Sequence, residues 1–316
     1  MKRSNLSLLV KAIGICSVVI FIILSSTLFN SSDLLLSIKK LINTPLLLAV
    51  MFVVYGLSFI LRSLAWKWYV NGKVTLITCM QGIFLSLFVN HVVPFKVGDV
   101  VRVGVMAKKE KLIRLDEVLH SVVVLRIIDM AILMSISGFG FIIILKSFPL
   151  QQSIFFYGAV FFMVTIMAIF FIRKFANLVR RHFALLKNAL KGWKGFLIIS
   201  TVLLSWICEG IVVYGVALLY QGNLAFLHSV WVNSLTVGGQ VFQVTPGGLA
   251  TYETVMTFAI TSIKNITMKE AYEIAIISHG FKFIFSFIVG IITTIFTPVS
   301  VSSISTWIKR KGGYSS

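Results

Sequence analysis

Long apolar runs, separated by short basic breaks, occupy almost the whole chain. Residues 8–29, 45–61, 118–145, 154–172, 196–220 and 271–298 each form such a run, and each falls near the length of about 17 to 25 residues that carries an α-helix across a bilayer. The first run follows Lys2 and Arg3 and is too long for the apolar core of a signal peptide. The pattern therefore predicts six membrane-spanning helices. Lys and Arg accumulate on the cytoplasmic side of membrane proteins. Lys2 and Arg3 before the first span, Arg62, Lys67 and Lys73 after the second, and Lys309, Arg310 and Lys311 at the end place both termini in the cytoplasm.

Two further stretches are apolar but interrupted. Residues 77–94 carry Gln81, Asn90 and His91, break at Pro94, and continue through Gly98, Asp99 and Arg102, with basic residues on both flanks. A membrane-surface loop is one reading. A re-entrant pair of half-helices entering and leaving on the cytoplasmic side fits the flanking charges better. Residues 229–263 contain Asn233, Gln240, Gln243 and the break Thr245-Pro246-Gly247-Gly248, and then an arm of about 12 residues, too short to span. This predicts a second hairpin facing the other way.

The order of elements thus repeats with inverted sense, in a single membrane domain over 1–316 whose halves are 1–146 and 147–305, ahead of a basic tail at 306–316. A shift of about 153 positions carries Glu117 onto Glu270, Arg126 onto His279 and Asp129 onto Lys282. Inverted repeats of this kind build substrate sites from broken helices near the midplane. The expected fold is an all-α polytopic membrane protein with six spans and two oppositely oriented re-entrant hairpins.

Composition agrees: 58% of the residues are hydrophobic and 12% charged, against about 25% charged in soluble domains. A water-soluble enzyme is excluded. The net charge of +19, from 29 basic and 10 acidic side chains, reflects the cytoplasmic bias of Lys and Arg and does not point to nucleic acid. Residues 173–194 hold seven Lys and Arg and no acid, with Phe175, Val179, Phe183, Leu186, Leu190 and Trp193 at helical spacing. They predict a basic amphipathic helix on the cytoplasmic face, fixing topology and anchoring to lipid.

Ionisable groups within spans cost about 2.5–3.5 kcal/mol each on insertion scales, so those present are candidates for function. Arg126 and Asp129 share one helical face at i,i+3 spacing; they are either a self-neutralising pair or part of a site. His279 and Lys282 repeat that spacing, and Lys282 has no acid one turn away. Its partner must be Glu209, Glu253 or an anionic substrate. A helix restarting after Pro94 or Gly248 would turn free N–H groups toward the break, an arrangement that favours phosphate. No zinc-protease, Walker or Gly-x-Ser-x-Gly pattern is present. Asn265-Ile266-Thr267 matches a glycosylation acceptor, a pattern of low specificity.

The segments Pro94-Phe95-Lys96-Val97-Gly98-Asp99-Val100-Val101-Arg102, Arg126-Ile127-Ile128-Asp129 and Thr245-Pro246-Gly247-Gly248-Leu249-Ala250-Thr251-Tyr252-Glu253 resemble the three signature stretches of the lysylphosphatidylglycerol synthase transmembrane region family, also called flippase-like domain proteins. The chain departs from that pattern at Leu125, Ala250 and Lys282, where the family usually has Glu, Gly and Arg. The resemblance implies a stand-alone lipid-handling protein of a bacterial or archaeal inner membrane, moving an anionic phospholipid or polyprenyl-phosphate lipid. The alternative is a membrane-embedded or accessory part of an aminoacyl-lipid or lipid-linked sugar transferase system. Arg102, Arg126, Lys282, His279, Pro246, Gly247 and Gly248 are the expected substrate contacts. Asp99, Asp129, Glu209 and Glu253 are the expected charge partners or proton carriers. No cofactor or metal is expected; a lipid-modifying transferase is a further candidate partner.

Overall fold

The computed structural model describes residues 22–23, 25–27, 31–93, 96–110, 113–145, 187, 190–220, 224–240, 245–263 and 266–297. Every regular element among them is helical. In chain order these are α1 (Ser31–Ile42), α2 (Pro45–Tyr69), α3 (Leu76–Val92), α4 (Gly98–Lys109), α5 (Leu115–Leu145), α6 (Gly192–Ala217), α7 (Phe226–Gly239), a 3₁₀ turn (Pro246–Gly248), α8 (Thr251–Thr261) and α9 (Met268–Phe296). The expected span at 154–172, nearly all of that at 8–29, and most of the amphipathic stretch at 173–194 lie outside the described residues.

Local chemistry sets the helix starts. Pro45 opens α2, where its missing N–H costs no intrahelical bond. Thr267 and Glu270 exchange bonds at the start of α9: the Glu270 N–H donates to Thr267 Oγ1 at 3.2 Å, and the Thr267 N–H donates to Glu270 Oε2 at 3.0 Å. Thr75 caps α3 by accepting from the Thr78 N–H at 3.1 Å. α1 was not expected from the sequence, because its mixed Ser, Lys and Leu pattern is neither a span nor a clear loop. It buries Ser37 and Leu41.

Helices α2, α5, α6 and α9 are long and apolar enough to cross a membrane. Their outer faces are apolar at helical spacing: Leu46, Val50, Val53, Leu57 and Ile60 are exposed along α2, and Ile284, Ile288, Ile291 and Ile295 along α9. Stripes of this size would be an aggregation hazard in water, whereas hydrocarbon covers them without cost. The chain is an integral membrane protein. Its opposite faces hold the polar groups; α2 turns Tyr55, Ser58, Ser63 and Trp66 inward.

One boundary differs from expectation. The sequence pattern ends the second span at 61 and treats Arg62 as a loop charge, whereas α2 continues to Tyr69 and carries Arg62 into the bundle, its side chain only 15% exposed. An arginine among apolar residues interrupts a hydropathy pattern without interrupting the helix, because its partners come from other helices.

The broken segments form two helical hairpins. At one end of the bundle the start of α3 and the end of α4 meet, with Thr75 N–H and Oγ1 donating to Glu110 Oε1 at 3.1 and 3.3 Å and Lys73 paired with Glu117 at 2.9 Å. The other end joins Lys269 to Asp33 and Tyr220 Oη to Glu273 Oε2 at 2.9 Å. There α7 begins beside Tyr214 and α8 leads into α9. The hairpins α3–α4 and α7–α8 therefore open at opposite ends of the bundle. Their breaks approach each other midway, where α3 packs on α9 and on the 3₁₀ turn.

Candidate functional site

Between the two breaks lies a cavity of about 150 Å³, lined from α2, α3, α4, α5, α6, α7, the 3₁₀ turn, α8 and α9. Its walls combine charge with aromatic surface. Arg62, Lys96, Arg102, Arg126, Asp129, Glu209, His279 and Lys282 all line it, beside Tyr55, Trp206 and Tyr252.

Ion pairs run through the bundle as a connected belt. Arg126 Nε and Nη2 donate to Asp99 at 3.0 and 2.8 Å, a forked arrangement that suits a guanidinium and a carboxylate. Asp129 is farther from Arg126, at 4.0 Å, and accepts instead from Trp206 Nε1 at 3.1 Å. The same indole lies flat beneath Arg62, 3.8 Å from its guanidinium carbon. Arg62 pairs with Glu209 at 2.5 Å and donates through Nε to Ser205 Oγ at 3.1 Å. Glu209 also faces Lys282 at 3.7 Å, and Lys282 Nζ donates to Asn233 Oδ1 at 2.6 Å.

A second pair fixes the turn. His279 Nδ1 lies 2.6 Å from Glu253 Oε1, and its Nε2 lies 3.1 Å from the Gly247 carbonyl oxygen. Glu253 Oε2 accepts the Ala250 N–H at 2.7 Å, and Tyr252 stacks on the imidazole with ring centroids 3.9 Å apart. The turn needs its glycines. Gly247 and Gly248 have φ of +65° and +78°, and an added Cβ would lie 2.2 Å from Phe283 Cζ and 2.2 Å from Gln240 Nε2 respectively.

Of the eleven residues singled out from sequence, Arg102, Arg126, Asp129, Glu209, Gly247, His279 and Lys282 reach the cavity wall. Asp99 and Glu253 hold Arg126 and His279 in place. Pro246 and Gly248 shape the turn without lining the cavity. Two details differ from expectation. The chief partner of Arg126 is Asp99 on α4, not Asp129 on its own helix, and the two helix starts do not offer all their N–H groups: Gly98 N–H donates to Asn90 Oδ1 at 2.8 Å and Ala250 N–H to Glu253. Side-chain cations, more than backbone N–H groups, make the cavity electropositive.

Sequence reasoning missed Arg62, Lys96, Trp206 and Tyr252. For Arg62 a signal existed: it falls on the Tyr55, Ser58, Phe59, Trp66 face of α2, opposite the apolar stripe. Trp206 precedes Glu209 by three residues and shares its face. Lys96 had no periodic signal, because it sits in the break with φ +50°.

A bundle of apolar-faced helices enclosing paired charges between two broken hairpins defines a polytopic α-helical membrane protein. The chain belongs to the lysylphosphatidylglycerol synthase transmembrane region family, which it matches over residues 10–290. It is also 26% identical over 204 residues to the UPF0104 membrane protein MJ1078 of Methanocaldococcus jannaschii, covering 60% of this chain and 86% of that protein. No solved structure matches.

Proposed function

We propose that this protein moves an anionic lipid across the bilayer, holding its headgroup in the central cavity. In this reading the architecture is six spans with two re-entrant hairpins, related as inverted halves 1–146 and 147–305, with both termini cytoplasmic. The headgroup belongs to a phosphatidylglycerol-like phospholipid or a polyprenyl phosphate. Arg102, Arg126 and Lys282 attract it; Asp99, Asp129, Glu209 and Glu253 hold the cations between turnovers or carry a coupling proton. The carrying observation is the cavity itself, with buried Arg102 and Lys282 facing it in a bundle whose outer surface is hydrocarbon-like. Buried cations in a membrane protein mark substrate or ion pathways, and the family's lipid-related description supports a lipid substrate.

The test is reconstitution. Proteoliposomes containing the purified chain should accelerate the transbilayer movement of a fluorescent anionic lipid over protein-free vesicles, and should move a zwitterionic analogue more slowly. Equal rates with and without protein, for every anionic lipid that co-purifies with it by native mass spectrometry, would end the proposal.

A further inference from the structure

The cations of the cavity are not equally answered. Arg126 has Asp99, Arg62 has Glu209, and Lys282 has Glu209 and Asn233. His279 and Glu253 form one compact acid–base unit. Two cations remain. Arg102 is 6% exposed and faces the cavity, yet no carboxylate lies within 4.0 Å of it among the described residues, and its Nε is buried with no hydrogen-bond partner. Its guanidinium rests on the face of Trp66, 4.0 Å from the ring centroid, which fixes its position without neutralising it. Lys96 also lines the cavity, half-buried and with a left-handed backbone at φ +50°, with no ion pair among the described residues.

The charge balance gives the same answer. Five cations line the cavity, namely Arg62, Lys96, Arg102, Arg126 and Lys282, while three carboxylates, Asp99, Asp129 and Glu209, stand on or directly behind its wall. The excess over the whole cavity is two positive charges, one where Lys96, Arg102 and Arg126 face Asp99 and Asp129 and one where Arg62 and Lys282 share Glu209. A buried cation without a counter-charge is strongly disfavoured, and the natural complement of a cavity with two uncompensated positive charges is a group with two negative charges. A phosphomonoester carries about −1.5 to −2 at neutral pH with three acceptor oxygens, whereas a phosphodiester carries a single charge. The volume of about 150 Å³ is also below the roughly 300–1,000 Å³ of pockets that enclose drug-sized ligands. It suits a compact terminal phosphate better than a glycerol or sugar headgroup.

We infer that Lys96 and Arg102 form a subsite for a terminal phosphate, so that the lipid handled here is a phosphomonoester and not a phosphodiester. This rests on the lipid-moving reading above and narrows its substrate class. Lys96 Nζ and the Arg102 guanidinium donate to the phosphate oxygens, with Trp66 backing Arg102. The Arg62–Glu209–Lys282 group, two cations on one carboxylate, lines the same cavity and adds to its positive charge.

Matched amphiphiles test the inference on the purified full chain in a neutral detergent. Dodecyl phosphate and methyl dodecyl phosphate share one alkyl chain and differ in a single capping methyl, hence in charge. Calorimetry should find the monoester bound about tenfold more tightly or better, the equivalent of about 1.4 kcal/mol. Lys96→Gln should lower monoester affinity about 10- to 100-fold, the range for hydrogen bonds to charged groups, and bring it near that of the diester. Lys73→Gln, at the bundle end, should not. Arg102→Gln should act like Lys96→Gln; if that variant fails to fold, the half-buried Lys96 position still decides. Equal binding of the two amphiphiles, or an unchanged monoester affinity in Lys96→Gln, overturns the subsite. Inorganic phosphate binding as tightly as dodecyl phosphate would assign the site to a soluble ion and overturn its lipid character. Monoester binding with no lipid movement in vesicles would defeat the transport reading and leave the subsite standing; movement of diesters with no monoester preference would do the reverse.

Discussion

Glu253 and His279 lie 2.6 Å apart on different helices, and between them they hold the glycine turn in place. Both ring nitrogens of His279 face acceptors, the Glu253 carboxylate and the Gly247 carbonyl oxygen. Both contacts are hydrogen bonds only if the pair holds one proton more than a neutral imidazole beside an ionised carboxylate, either on the second ring nitrogen or on the carboxyl.

The first prediction follows from that proton. Glu253→Gln supplies an amide N–H toward Nδ1 and keeps a carbonyl oxygen for the Ala250 N–H, so the neutral imidazole still donates to Gly247. It should fold with a loss of no more than about 1 kcal/mol, roughly one neutral hydrogen bond. His279→Ala leaves Glu253 buried without its partner and should lose about 3–5 kcal/mol. Thermal unfolding in detergent separates the two; equal losses would show that the shared proton is not what holds the turn.

Ala250 provides a second prediction. Its φ of +73° and ψ of −46° place a residue with a Cβ in a strained turn conformation. Glycine relieves that strain, of order 1–3 kcal/mol, against the loss of one buried methyl worth about 0.8 kcal/mol. Ala250→Gly should therefore stabilise the protein by about 1 kcal/mol, read as a raised midpoint of thermal unfolding. A lowered midpoint would mean that the methyl's packing outweighs the strain.

Much of this was legible in the sequence, and the failures share a cause. Hydropathy located α2, α5, α6 and α9, since each needs a continuous apolar face whatever its partners. The rule that a buried charge needs a reason picked out Arg126, Asp129, His279 and Lys282. It did not reveal who pairs with whom: Asp99 reaches Arg126 across 27 positions, and Glu209 reaches Arg62 across the gap from α6 to α2. Such pairings depend on how helices pack, and no local pattern carries that information. Lys96 was missed because a residue in a break has no periodicity to betray its direction.

The bundle end near α3 gives a pH prediction. Glu110 is partly desolvated, which raises its pKa, but hydrogen bonds from Thr78 and Thr75 outweigh this and hold it below the ordinary carboxylate value. A depressed folded-state value means that the contribution is present above the unfolded value of about 4.3 and is lost as pH falls through the folded one. The stability difference between the native chain and Glu110→Gln should therefore shrink below about pH 4. A difference that stays constant from pH 7 to pH 3 would remove the carboxylate's charge from the account.

Lys73 and Lys269 mark the two ends of the bundle, each exposed and each paired with an acid from another segment, Glu117 and Asp33. The two hairpins open at these opposite ends, so the inverted arrangement requires the ends to face different compartments, with Lys73 inside and Lys269 outside. Single cysteines at these positions, in a chain whose Cys16, Cys79 and Cys208 are replaced by serine or alanine, should differ in reactivity. In intact cells an impermeant maleimide should label Lys269→Cys and not Lys73→Cys, and both should react once the membrane is opened. Labelling of both, or of neither, in intact cells would put the two ends on one side of the membrane and refute the inverted repeat.

Lys282 and Arg62 share one carboxylate, and the sharing predicts unequal costs for removing each member. Lys282→Met leaves Glu209 paired with Arg62 at 2.5 Å and puts an apolar side chain of similar length among Tyr55 and Tyr252, the rings nearest the ammonium. Folding and membrane insertion should survive, with a change within about 1.5 kcal/mol, as for other volume-conserving replacements. Removing the carboxylate instead strands two buried cations, so Glu209→Gln should destabilise by about 3–5 kcal/mol. Lipid movement separates structure from function in the milder variant: if Lys282 draws the headgroup into the cavity, Lys282→Met loses movement in proteoliposomes while retaining its fold. A well-folded Lys282→Met protein that moves lipid at the native rate would leave Lys282 as a structural partner of Glu209 and Asn233 alone.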